Sequence, residues 1–155
     1  MDEQVSKALI DLKHPDQAIR DEATQHLWQT WFYQKGVVGL ERLKRSQTAL
    51  DEGRLTDAEQ DLSALIQEQP DFTEAWNRRA VLYYMQQDYR KAIADCQRVI
   101  DQVPFHFGAL HGMGLCYAAL GHYRDAIHTF KQALEIQPYA VVNQRLILEC
   151  TARLS

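Results

Sequence analysis

With only four prolines, seven glycines and three cysteines among 155 residues, and no block of like charge, the sequence lacks the marks of several protein classes. No apolar run approaches the roughly 18 residues that cross a bilayer, so no membrane span is expected. The opening MDEQVSKALIDL is acidic where a secretory signal carries positive charge, and a cytoplasmic location is expected. Lysines and arginines number 17 against 21 acidic residues and are mixed with them throughout, so the basic stripe that a phosphate backbone requires is missing. Nucleic acid is not an expected partner. Cys96, Cys116 and Cys150 are an odd number in a chain without an export signal, which argues for reduced thiols rather than a disulfide framework. A chain of this length supports one ordinary domain burying roughly 70% of its unfolded surface.

The signatures of chemistry are missing as well. Residues 106–122, HFGALHGMGLCYAALGH, concentrate histidine and glycine. A dinucleotide fingerprint fails there because Tyr117 stands where the third glycine should follow Gly112 and Gly114. Metal ligands on one helix recur at i and i+4, whereas His106 and His111 are five apart and His122 and His128 six apart. At about 100° per residue those pairs diverge by roughly 120–140°. Nucleophile, base and oxyanion donor do not converge in any motif, so no catalytic set, metal or cofactor is expected.

What the sequence has is a period. Pro70, Pro104 and Pro138 recur every 34 residues, leaving only Pro15 outside the series. On that frame Ala80 aligns with Gly114, Tyr83 with Tyr117, Tyr89 with Tyr123, and Ala58 with Ala92 and Ala126. Cys116 and Cys150 are also 34 apart, which favours packing over reactivity. Small residues at fixed places let two helices approach, aromatics fill the space beside them, and each proline stops a helix. Gly53 and Gly121 fall where the chain needs a positive φ to leave a helix, and Gln87 takes that place in the middle unit. The reading gives first helices near 40–52, 73–86 and 107–120, second helices near 55–68, 89–102 and 123–136, and a closing helix near 141–153. In that last helix Asn143, Gln144, Arg145, Glu149 and Arg153 are expected to face water.

These columns resemble the tetratricopeptide repeat, a 34-residue helix–turn–helix unit. Its small residue at position 8 is met by Ser46, Ala80 and Gly114, its aromatic at 11 by Tyr83 and Tyr117, and its alanine at 20 by Ala58, Ala92 and Ala126. Its tryptophan at position 4 appears once, as Trp76. The resemblance implies an all-α superhelix of three units, 39–72, 73–106 and 107–140, with 141–155 as a C-terminal cap. Residues 1–38 form a separate helical pattern, about 4–13 and 15–34. There Asp16, Arg20, Ala23 and Leu27 loosely resemble one HEAT-type repeat, read as an N-terminal cap with Trp28, Trp31 and Phe32 packed on the first unit.

The resemblance also implies a function. Concave walls of such stacks bind peptides or partner helices, and the expected role is a non-enzymatic adaptor, scaffold or assembly factor, most simply a monomer, whose partner is a protein or peptide. Groove positions carried over from the family make Asn77, Arg78, Tyr84, Met85 and His111 the expected central contacts, flanked by Lys44, Gln47 and Arg145. The family's carboxylate-clamp positions hold Leu43, Gln47, Arg78, Gly108 and Gly112; Arg78 alone suits that task, so chaperone tails are not expected ligands. Arg45 and Arg79 are at a normally apolar place and are expected to pair with Asp61 and Asp95. Two other readings are an RNA-binding helical repeat, which the acidic balance disfavours, and self-association through Trp28, Trp31, Phe32 and Tyr33.

Overall fold

The computed structural model describes residues 1–155 as nine α-helices: α1 (Glu3–Asp11), α2 (Gln17–Phe32), α3 (Gly36–Asp51), α4 (Leu55–Glu68), α5 (Thr73–Met85), α6 (Tyr89–Gln102), α7 (Phe107–Ala119), α8 (Tyr123–Ile136) and α9 (Val141–Leu154). Their ends are set by side chains and turns that repeat at the expected interval. Gly53, Gln87 and Gly121 have φ of 76°, 61° and 77°. In each case the next residue donates its N–H to the carbonyl five residues back, Arg54 to Ala49, Asp88 to Tyr83 and His122 to Tyr117, at 2.8, 2.9 and 2.9 Å. That 6→1 bond closes a left-handed helix cap, so three turns share one geometry although only two carry glycine. The other turns begin at Gln69, Val103 and Gln137, whose carbonyls accept from Phe72, His106 and Ala140, with a proline at the second position.

Consecutive helices from α3 to α9 pack on one another, and the first helices α3, α5 and α7 also touch among themselves. The second helices make no comparable mutual contacts. First helices therefore stand closer together and line the inner side of the curve, giving an α–α superhelix. Close approach within each hairpin follows from the small columns. Ala58, Ala92 and Ala126 are all fully buried. A Cβ built on Gly114 would fall 2.5 Å from the Phe130 ring, so that ring occupies the volume any side chain would need. Ser46, 2% exposed, returns its hydroxyl to the Arg42 carbonyl.

The cysteines behave as small apolar residues. Cys96, Cys116 and Cys150 are buried, and burial pushes the Cys116 thiol up to about 11 and raises Cys96 and Cys150 as well. The pair expected of Arg79 forms: its guanidinium grips Asp95 with two bonds of 2.8 and 2.9 Å. Its counterpart does not. Arg45 lies in solvent without a bond to Asp61, and Arg42, one turn earlier, takes a carboxylate instead, that of Glu68.

Two expectations need correction. The α1–α2 hairpin does not sit on the first unit alone. Phe32 reaches the cluster of Leu43, Leu62 and Phe72, but Trp28 and Trp31 cross to Phe105, His106 and Phe107 at the start of α7. The closing helix α9 keeps Gln144, Arg145, Glu149 and Arg153 in water, yet Asn143 is 4% exposed. It occupies the column of Ala75 and Ala109, both fully buried, so repeat position outranks side-chain polarity. Val141 and Leu148, each 70% exposed, also leave this end more apolar than a solvated cap requires.

Two substitutions test this packing. Gln87→Gly relieves a left-handed residue and is expected to stabilise the fold by about 1 kcal/mol in thermal or urea melts. Gly114→Ala, by forcing the Phe130 ring aside, is expected to cost about 1–3 kcal/mol in the same melts; a neutral outcome would mean the hairpin is not closed on that contact.

Candidate functional site

The inner wall divides into an open half and a covered half. At the C-terminal end of α5, Val81, Tyr84 and Met85 are 41%, 39% and 50% exposed. Spaced i, i+3 and i+4, they form one apolar strip on a helix otherwise buried between neighbours. The Tyr84 ring is steadied by the edge of Tyr89, 5.7 Å away between centroids. Lys44 on α3 and Ala119 on α7 are also exposed, and Leu115 on α7 is half-buried against the cluster of Ala126, Phe130 and Cys150.

The N-terminal ends of the first helices are different. Asn77, expected as a free contact, is 7% exposed and donates its amide to Glu74 Oε1 at 2.9 Å. Arg78 is half-buried, with Nη1 donating to Gln47 Oε1, Nε 3.4 Å from Glu74 Oε1 and its guanidinium 5.0 Å over the Phe32 ring. Gln47 in turn donates to Asp51 at 2.8 Å. All three are thus engaged within the chain, Asn77 by Glu74, Gln47 by Arg78 and Asp51, and Arg78 also by Phe32 of α2, instead of standing free. Farther along, His111 Nδ1 is 2.7 Å from Asn143 Oδ1, tying α7 to α9, and Arg145 is exposed beside Glu149 at 3.5 Å. Tyr84 and Met85 share the open strip and Lys44 is exposed on α3; Arg78 and Gln47 are bonded, with Asn77 beside them on Glu74; His111 and Arg145 lie toward the far end.

Sequence reasoning missed the centre of the covered half, Glu74 and His106, both fully buried. His106 caps α7: its Nδ1 accepts the N–H of Ala109 at 3.0 Å. That bond places the ring proton on Nε2, 3.1 Å from Glu74 Oε2. Trp31 stacks on the imidazole at 4.0 Å and Trp28 meets its edge at 5.4 Å. Glu74 therefore accepts from His106 and Asn77 while Arg78 supplies the nearby positive charge, which is how a buried carboxylate is kept satisfied. The available signal was position: His106 precedes α7 as an N-cap, and Glu74 begins the wall on α5. Neither showed that an aromatic helix would cover them.

The covering is close. A Cβ on Gly108 would fall 2.6 Å from Trp28 Cη2, so the indole uses space that only glycine leaves. Gln34 fastens the end of α2 by donating to the Asp71 carbonyl at 2.7 Å and accepting from the Thr73 N–H at 3.1 Å, and Lys35 pairs with Asp71 at 2.6 Å. The histidine-rich segment is accounted for by these structural roles. His, Cys, Asp and Glu side chains do not gather in threes suited to a metal ion, and no helix is long and apolar enough to cross a membrane.

Comparison with known proteins agrees with this architecture. Residues 71–138 match the tetratricopeptide repeat family model. A TPR repeat-containing protein of Rhizobium etli is 36% identical over 90 residues, 58% of this chain and 44% of its own, so the match takes in less than half of that relative. Among solved structures, the first TPR of Spaghetti (RPAP3), bound to the HSP90 peptide SRMEEVD, superposes with a TM-score of 0.71 at 16% identity, over 74% of this chain and 91% of that one. MamA (AMB-1) gives 0.67 at 21% identity over 97% of this chain and 80% of that one, so the likeness extends into the N-terminal helices. At these identities the likeness is one of fold. The 34-residue hairpin, its two kinds of turn, the family model and the Rhizobium relative agree: the fold is that of the tetratricopeptide repeat, and residues 71–138 carry the family's pattern.

Proposed function

We propose that the chain is a non-catalytic interaction module of the cytoplasm, an adaptor, scaffold or assembly factor, that binds a protein segment on the open half of its concave wall. In this reading residues 39–140 act as three tetratricopeptide units, 141–155 as the closing helix and 1–38 as an appended hairpin. The observation that carries it is the exposed strip of Val81, Tyr84 and Met85 on the helix that forms the middle of the wall. Aromatic and methionine side chains are what adaptable protein-binding surfaces use, because they offer large contact area with little polar desolvation. The peptide held by the Spaghetti domain is a property of that protein, and it supports the general mode of binding only.

The ligand chemistry favoured here is apolar. Of the five clamp positions, Leu43 is 3% exposed, Gln47 is bonded to Arg78, Gly108 lies under Trp28 and Gly112 offers no side chain. The one cation, Arg78, is already engaged by Gln47, Glu74 and Phe32. An amphipathic segment laying apolar residues along Val81, Tyr84, Met85 and Leu115 fits this wall better than an acidic chain terminus.

A partner identified by affinity capture and mass spectrometry, then titrated calorimetrically, is expected to bind the Tyr84→Ala/Met85→Ala chain about 30-fold more weakly, ~2 kcal/mol, with the melting curve unchanged. Undiminished affinity would remove the open half from consideration. The same titration at about 50 and 500 mM salt is expected to change affinity by less than about threefold, since few charges line the strip.

A further inference from the structure

The covered half of the wall has the makings of a binding surface in its own right. α2 runs past α9, α7 and α5 in turn: Arg20 lies 4.1 Å over the Tyr139 ring before α9, Trp28 and Trp31 flank His106 before α7, and Phe32 meets Arg78 on α5. Yet the hairpin is largely self-contained. Val5, Ala8, Leu12, Ala23, Leu27 and Trp31 form one buried cluster, to which the rest of the chain adds the buried Phe107 and the partly buried Val103, Phe105 and Ile136. It joins α3 through residues 33–35 and Gly36, whose φ of 70° has open space around it. Its end is held partly by the Lys35–Asp71 pair, in which the aspartate side chain is 72% exposed, and such pairs hold weakly.

The surface beneath it is polar in a way that docking alone does not require. Glu74, Asn77 and His106 bond to one another rather than to α2. Apolar residues would hold a permanent cover more tightly, because buried ionic groups give back little after desolvation. A network that satisfies itself stays satisfied when water arrives. The surface is therefore viable both covered and bare, and the chemistry of its external ligand can be read from its internal one.

We infer that the face formed by Glu74, Arg78, His106, Phe107 and Gly108 is a second partner-binding surface, which α2 occupies as an internal ligand. Its external ligand is an amphipathic helix carrying aromatic residues one turn apart, as Trp28 is from Trp31 and Phe32. One ring stacks on the His106 imidazole, and a second enters the slot left by Gly108. A partner helix gains this face by displacing the hairpin as a body about residues 33–36. This proposal stands apart from the reading of the open half.

The probe is a labelled synthetic peptide of residues 15–34, added to the full chain. When the internal ligand is weakened by Trp28→Ala with Trp31→Ala, the peptide is expected to bind about tenfold or more tighter than to the unaltered chain, because less of the site is already taken. A peptide with both tryptophans replaced by alanine is expected not to bind, and adding Gly108→Ala to the chain is expected to abolish the gain. Equal peptide binding by the unaltered and double-substituted chains, with helicity retained, would overturn the inference. Loss of peptide binding on Tyr84→Ala/Met85→Ala would also overturn it, by placing the peptide on the open half. Should the double substitution unfold the chain, hydrogen exchange of the unaltered protein decides: α1 and α2 are expected to exchange together and about tenfold or more faster than α5–α8. Protection equal to that of α5–α8 would mean that the cover does not lift. Concentration-dependent dimers with exchanged hairpins would make a second copy the occupant and exclude the external helix.

Discussion

Everything in this fold depends on how closely two helices of a hairpin can approach. Alanine at 58, 92 and 126 and the small series Ser46, Ala80 and Gly114 bring the axes together, and bulky neighbours such as Phe130 and Tyr83 then fill what remains. Repeating that contact at a fixed interval makes successive hairpins stack in one sense, and the first helices crowd together on the inside. The wall is a consequence of this packing. A side chain reaches the wall because of its place in the period, whatever its own polarity.

That rule explains both what could be read from residues alone and what could not. Helix ends were legible because proline and glycine, or glutamine standing in for it, mark turns that need their backbone geometry. The Arg79–Asp95 pair was legible because an arginine at an apolar position must find an acid on the facing helix. Arg45 did not follow suit: on the first helix of the first unit it stays exposed, and no acid is bonded to it. Asn143 illustrates the reverse error: its amide suggested a solvated face, but its column is a buried one, and His111 supplies the hydrogen bond.

Tyr84 and Met85 emerged on the open wall because nothing beyond the repeat decides their exposure. Asn77 and Arg78 sit at equally regular positions, yet Arg78 meets Phe32 and the His106 beside their partner Glu74 is flanked by Trp28 and Trp31, aromatics more than 40 residues earlier and outside the period. No local spacing encodes that contact. What encodes it is a complementarity visible only in three dimensions, with glycine at 108 making room for the Trp28 indole and the buried His106 imidazole lying flat against Trp31. Of the aromatics read as a self-association patch, Trp31 is 5% exposed, Trp28 and Phe32 are half-buried, and Tyr33 is 54% exposed.

The resulting picture is a wall with two chemistries, an apolar strip open to solvent and a polar floor under an aromatic helix. Its central claim is that the N-terminal hairpin lies across the wall as far as the third unit. Nuclear Overhauser contacts measured in solution test this most directly. The account predicts contacts from the Trp28 ring to Gly108 Hα and from the Trp31 ring to the His106 imidazole. Contacts placing both indoles on α3 and α4, beside Leu43 and Ile66, with none to residues 105–108, would contradict it.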